Sequence, residues 1–196
     1  MIIMLFEHIK RLYIGKAIGF GKVIHAYNNG WITKQQLEEL RTIVVSYTKE
    51  EATLFKMEEC SYLCHEAISK GIDVVLSDEK VHHFSLSSND QNNLNAKMLN
   101  ILAGVTELEY HSDGEPCVYY SVEDMTTICT SAQSKITIET TYNNCLYQWI
   151  KRCQTVDEIM TIRYGMEIPE EYWSEPWRNI VVKLENAKNI HNDQEK

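Results

Sequence analysis

Residues 121–153 read SVEDMTTICTSAQSKITIETTYNNCLYQWIKRC. Val122, Met125, Ile128, Cys129, Ala132, Ile136, Tyr142, Leu146, Trp149, Ile150 and Cys153 recur there mostly at steps of three and four. That period gathers them on one side of a helix, the arrangement an amphipathic helix buries. Ser121 followed three residues later by Asp124 supplies a helix start. The crowded point is 135–141, where Thr137, Ile138, Thr140 and Thr141 put β-branched side chains close together. The stretch therefore predicts one long helix, or two fused with a slight bend, acting as the spine of a helix-rich domain.

Working outward, the same start signal returns at Thr33 with Gln36, Thr48 with Glu51, Ser88 with Gln91, Thr155 with Glu158, and Ser174 ahead of Pro176. Residues 2–14 read as a short amphipathic helix. Gly15, Gly19 and Gly21 then loosen the chain, and helix resumes from Val23 to an Asn29-Gly30 stop. From Lys34, helix continues through Leu37, Leu40, Ile43 and Tyr47. Lys34–Lys70 reads as one helix or two, ending at Gly71. Two alternating segments, 72–76 and 81–86, flank the turn Ser77-Asp78-Glu79-Lys80 and read as a hairpin. A second hairpin is expected at 108–111 and 117–120 around Asp113-Gly114. Between the hairpins a helix should turn Leu94, Met98, Ile101 and Leu102 inward. The predicted fold is α+β, mainly helical, with one long central helix and two small antiparallel β-hairpins. The expected divisions are an N-terminal helical region at 1–71, a hairpin-and-helix domain at 72–185 and a polar tail at 186–196.

The chain has 196 residues and 44% hydrophobic content, enough for a real core. A net charge of −9 argues against a globally basic nucleic-acid binder. Residues 98–134 hold no Lys or Arg but carry Glu107, Glu109, Asp113, Glu115, Glu123 and Asp124. The first 34 residues carry Lys10, Arg11, Lys16, Lys22 and Lys34 against Glu7 alone. Attraction between these two regions, within a chain or between subunits, is one expectation; an ordinary solvated surface is the other. No apolar run is long enough for a membrane span, and no cleavable leader is expected. The six cysteines read as reduced thiols in a cytoplasm.

Few residues suggest chemistry. His111, Asp113 and Cys117 form a weak metal candidate without a local fourth ligand, and Cys60, Cys64 and His65 a second. His82 and His83 should point to opposite faces of a strand, one exposed and one half buried. Cys117 with His111 lacks an orienting third group for nucleophilic catalysis. No phosphate-cradling loop and no carboxylate dyad stands out, so no catalytic residue and no cofactor is expected. Aromatic residues crowd the C-terminal half. Tyr164, Tyr172, Trp173 and Trp177, among Glu167, Glu170, Glu171 and Glu175, are the candidate partner-binding residues, with a core role as the alternative.

HHFSLSSNDQNNLNAKMLNILAGVTELEYHSDGEPCVYYSVEDM, then TTYNNCLYQWI and IRYGMEIPEEY, resemble a domain of unknown function from bacteriophages and prophages of gut bacteria. The resemblance covers about residues 72–175. It rests on a strand ending in Phe-Ser-Leu, an Asn-Asp-Gln helix start, the Tyr-His-x-Asp-Gly-Glu-Pro-Cys hairpin and a Gly-x-x-Ile-Pro-Glu-x-Tyr close. Such domains usually lie among tail, tail-fibre or baseplate genes. AYNNGWITKQQLEEL is similar to a short helical hairpin of small phage tail-cluster proteins, although the usual Thr-x-Glu-Glu-Tyr ending is absent. The resemblance implies a tail- or baseplate-associated structural or assembly protein, in the host cytoplasm or the virion. Its partners would be other phage or host proteins, or further copies of itself. Two alternatives stand beside it: a phage-encoded acidic inhibitor of a host defence protein, and a small-molecule- or metal-binding protein.

Overall fold

The computed structural model describes residues 2–194, with side chains over 5–187. In chain order it runs α1 (Ile2–Ile14), α2 (Phe20–Asn28), α3 (Lys34–Thr42), α4 (Lys49–Ser69), β1 (Ile72–Val75), β2 (Val81–Phe84), α5 (Ser88–Leu102), β3 (Leu108–Tyr110), β4 (Val118–Tyr120), α6 (Val122–Arg152), α7 (Val156–Thr161) and α8 (Glu175–Gln194). A 3₁₀ turn, Glu170–Tyr172, precedes α8. The fold is α+β and mainly helical. α6 is a continuous 31-residue helix, and β1–β2 and β3–β4 form separate two-stranded antiparallel sheets.

Local signals account for most boundaries. Thr33 and Gln36 close a reciprocal capping box on α3, Thr48 and Glu51 do so on α4, and Thr155 and Glu158 on α7. Lys34–Lys70 resolves into two helices, because α3 stops at Thr42, Ile43 is extended and residues 43–48 lie outside any helix. The β-branched run Thr42-Ile43-Val44-Val45 explains that stop, since such side chains lose χ1 freedom in a helix. The α5 cap is Ser87 with Asp90, one residue earlier than Ser88 with Gln91; a carboxylate takes the Ser87 N–H at 3.0 Å. Helix persists through 135–141 of α6. Lys135 and Glu139 pair at 2.6 Å, and Thr140 turns its hydroxyl back onto the Ile136 carbonyl at 2.7 Å. α8 runs to Gln194 through most of the expected polar tail; residues 195 and 196 lie outside the described residues.

The chain divides into two compact units, one made of residues 1–64 and 142–196, the other of 65–141. This differs from the expected divisions at 71 and 185. The reason is packing: Cys145, Leu146, Ile150 and Cys153 of α6 share a core with Ala52 and Cys60 of α4, closed by Ile159, Ile162 and Ile168. The same unit holds a second core of Phe6, Ile9, Tyr13, Val23, Ala26, Ile32, Leu37 and Leu40. Three of the five basic N-terminal residues are answered inside this unit: Lys10 pairs with Glu39, Lys16 with Glu51 at 2.9 Å and Lys22 with Glu58 at 3.5 Å. It also buries an ion pair, Lys56 with Glu59 at 3.0 Å, that hydropathy patterning does not announce.

In the unit of 65–141, the buried side chains include Val74, Leu76, Phe84, Leu86, Leu94, Leu108, Tyr110, Met125, Ile128, Cys129 and Ala132. Phe84 stacks on Tyr110 and meets Tyr120 edge-on. β1 and β2 pair Ile72 with Phe84, Asp73 with His83, Val74 with His82 and Val75 with Val81. Strand alternation therefore turns Val74 and Phe84 inward and leaves Asp73, Val75, Val81 and His83 exposed.

Candidate interaction surface

Two serine–aspartate clasps set the geometry of the hairpin unit. Asp124, in the first turn of α6, accepts the Ser77 N–H at 2.9 Å and the Ser77 hydroxyl at 2.8 Å. It also accepts the Ser121 hydroxyl at 3.0 Å, while Ser121 Oγ accepts the Asp124 N–H. Ser121 Oγ thus caps the helix, and the one carboxylate holds both that capping hydroxyl and the first hairpin's turn. Burial pushes the Asp124 carboxyl up, but the hydrogen bonds from Ser77 and Ser121 outweigh it and hold the group below the usual carboxylate range.

Asp113 forms the second clasp. It accepts the Ser85 N–H at 3.1 Å and the Ser85 hydroxyl, and its own N–H donates to the His83 carbonyl at 2.9 Å. Burial opposes ionisation here too, and the Ser85 hydrogen bonds prevail, lowering the Asp113 pKa. His83 lies between two carboxylates, with Nδ1 2.7 Å from Asp73 and Nε2 3.9 Å from Asp113. The hydrogen bond to Asp73, against a smaller effect of burial, raises the His83 pKa above its ordinary 6.5. A group raised in the folded state stabilises it fully below pH ~6.5, and that contribution is lost as pH rises through the folded value. His83 is 45% exposed, so the contribution stays under about 1 kcal/mol. In an NMR titration His83 should show a midpoint above 6.5, and Asp73→Asn should bring it back toward 6.5.

Asp113 is therefore engaged as a clasp. His111 instead stacks on Tyr110, with ring centroids 5.5 Å apart, and Cys117 is exposed. Among the described residues no three His, Cys, Asp or Glu side chains are grouped to hold a metal ion. Cys60 and Cys64 are both buried, and burial pushes the Cys60 thiol up to about 12, far from the thiolate a metal needs. None of the six cysteines forms a disulfide, and Cys117 alone is exposed. A thiol reagent such as DTNB should label one cysteine rapidly in the folded protein, and Cys117→Ser should abolish that phase. Of the six acids in 98–134, Asp113 and Asp124 are clasps and Glu109 pairs with Lys97 at 2.7 Å. That leaves Glu107, Glu115 and Glu123 exposed and outside the ion pairs of the described residues.

The C-terminal aromatic residues are each half-buried against their own core. Tyr164 and Trp177 meet Tyr142, Tyr172 stacks on Trp149, and Trp173 donates its indole N–H to the Ile168 carbonyl at 2.7 Å. Arg152 and Arg178 cover the Tyr172 and Trp173 rings. The structure thus gives these four residues a packing role and leaves only parts of them at the surface.

Exposed apolar surface lies elsewhere. Leu99 is 66% and Leu102 77% exposed, with Val105 beside them in sequence. Leu102 is thus not turned inward as α5's pattern suggested; Leu94 is the buried residue of that helix. His82 is half-buried against Asp78 at 3.0 Å, while His83 is exposed. Between β2 and the loop of the second hairpin runs a groove of about 470 Å³, whose lining includes Lys80, Val81, Glu115, Pro116, Val118 and Tyr120. No helix among the described residues is long and apolar enough to cross a membrane. Comparison with protein-family models, curated proteins and solved structures finds no match to this chain.

Proposed function

We propose that the chain is a structural or assembly protein of a bacteriophage tail or baseplate that works through protein contacts. The tail context rests on the resemblance of residues 72–175. The contact role is supported above all by the end of α5, where Leu99 and Leu102 stand in solvent although the helix that carries them is well capped. A capped helix does not need those leucines for its own formation, and clustered exposed apolar side chains mark surfaces that other proteins cover. Trp31, 47% exposed at the turn of the N-terminal helical hairpin, offers an aromatic anchor of the kind enriched in interfaces.

The test is composition of purified tails. The chain should be present by mass spectrometry, and Leu99→Asp with Leu102→Asp should reduce its incorporation at least tenfold while leaving the circular dichroism unchanged. Tails lacking the protein, together with a monomer that retains no tail component through purification, would overturn this reading.

A further inference from the structure

The open edge of β2 carries a more specific surface. Leu76 N–H donates to the Lys80 carbonyl at 3.2 Å, which fixes the phase of the hairpin. With Val75 opposite Val81 and Val74 opposite His82, the backbone groups of His82 and Phe84 face β1. Those of Val81 and His83 face away. The outward carbonyl of His83 is taken by the Asp113 N–H. The Val81 N–H, the Val81 carbonyl and the His83 N–H have no hydrogen-bond partner among the described residues. Val81 and His83 both line the 470 Å³ groove, together with Pro116, Val118 and Tyr120 of the second hairpin.

From this geometry we infer that the groove takes an extended peptide segment of a partner protein, added as a short strand to β2 and carrying a basic residue between apolar ones. Unpaired edge groups recruit a strand through main-chain hydrogen bonds, and the side-chain environment selects its sequence. The Asp113–His83 bond closes one end, so the guest pairs chiefly with Val81. Apolar guest side chains rest on Val81, Pro116 and Val118. Charge selects the rest. Asp113 and Glu115 line the groove against one ammonium, Lys80, and the imidazoles of His82 and His83 are already held by Asp78 and Asp73. Glu115 is the exposed carboxylate left to receive a lysine or arginine.

This deepens the contact-protein reading and rests on it, but it is tested separately. The probe is the capped pentapeptide acetyl-Thr-Val-Lys-Val-Thr-amide, with its lysine-to-glutamate counterpart as control. At saturation the lysine peptide should slow amide exchange at Val81 and His83 at least tenfold, and the glutamate peptide should bind at least tenfold more weakly. Val81→Pro removes an outward N–H and the valine contact while leaving the hydrogen bonds that face β1 in place, a change edge strands accept, and should weaken binding at least tenfold. Glu115→Gln, which leaves the backbone untouched, should erase the preference for lysine. Unchanged exchange at Val81, equal binding of the two peptides, or protection of Val81 by self-association without peptide would each overturn the proposal. Tails that still incorporate Val81→Pro protein at the wild-type level would overturn it as the tail contact while leaving the tail reading in place.

Discussion

Gly71→Ala is expected to lower the unfolding free energy by about 2–5 kcal/mol, read by urea denaturation. Gly71 joins α4 to β1 at φ 84, a left-handed conformation that costs a Cβ-bearing residue roughly 1–2 kcal/mol. The larger part comes from space. A Cβ there would sit 2.1 Å from the Phe84 carbonyl oxygen and 2.8 Å from the Ser85 Cα, both rigid backbone at the end of β2. The backbone must shift, and the shift disturbs Phe84, itself 1% exposed. Gly104 is the control. It has a similar φ of 83 but nothing within 4 Å of its would-be Cβ, so Gly104→Ala should cost only about 1–2 kcal/mol. Equal losses at the two sites would show that the close approach to Phe84 is not what Gly71 serves.

Asp124→Ala should cost about 2–4 kcal/mol at pH 7. The variant loses three hydrogen bonds to a charged acceptor and a favourable charge at the start of α6, and it leaves the Ser77 N–H without its partner. The sign with pH follows from the lowered pKa. A carboxyl depressed in the folded state stabilises it above the unfolded value of about 3.9 and loses that contribution as pH falls through the folded value. Wild-type stability should therefore fall on acidification below pH ~4. Asp124→Ala should show a shallower fall over the same window. A variant with unchanged stability at pH 7, or an acid limb as steep as wild type, would count against the clasp.

What could be read from the sequence was what is local. A capping box joins residues three apart, so Thr33, Thr48, Ser121 and Thr155 announced their helices directly. The α5 start slipped by one because Ser87 and Ser88 are both competent caps, and only the Asp90 carboxylate decides between them. The 3.6-residue period identified Met125, Ile128, Cys129, Leu146 and Ile150 as core, all buried in α6. The same period misplaced Leu102, because periodicity reports a face and not whether anything covers it. The clasps were illegible for a different reason. Ser77 and Asp124 are 47 residues apart, and Ser85 and Asp113 are 28 apart. Asp113 read locally as a turn residue or a metal ligand, and its use became visible only when Ser85 stood beside it. The four C-terminal aromatics carried a composition signal shared by cores and interfaces; packing around Tyr142 and Trp149 engaged Tyr164, Tyr172 and Trp177, and the Ile168 carbonyl engaged Trp173.

The unit built from residues 1–64 and 142–196 has a consequence for synthesis. On the ribosome, Cys60 emerges 85 residues before Cys145, its companion in the same buried cluster. At about 5–20 residues per second that is a delay of roughly 4–17 s. During that interval the nascent segment displays Ala52 and Cys60 without the α6 side chains that cover them. The core from Phe6 to Leu40 and the interposed 65–141 are each continuous in sequence, so both can condense before the Cys60–Cys145 cluster closes.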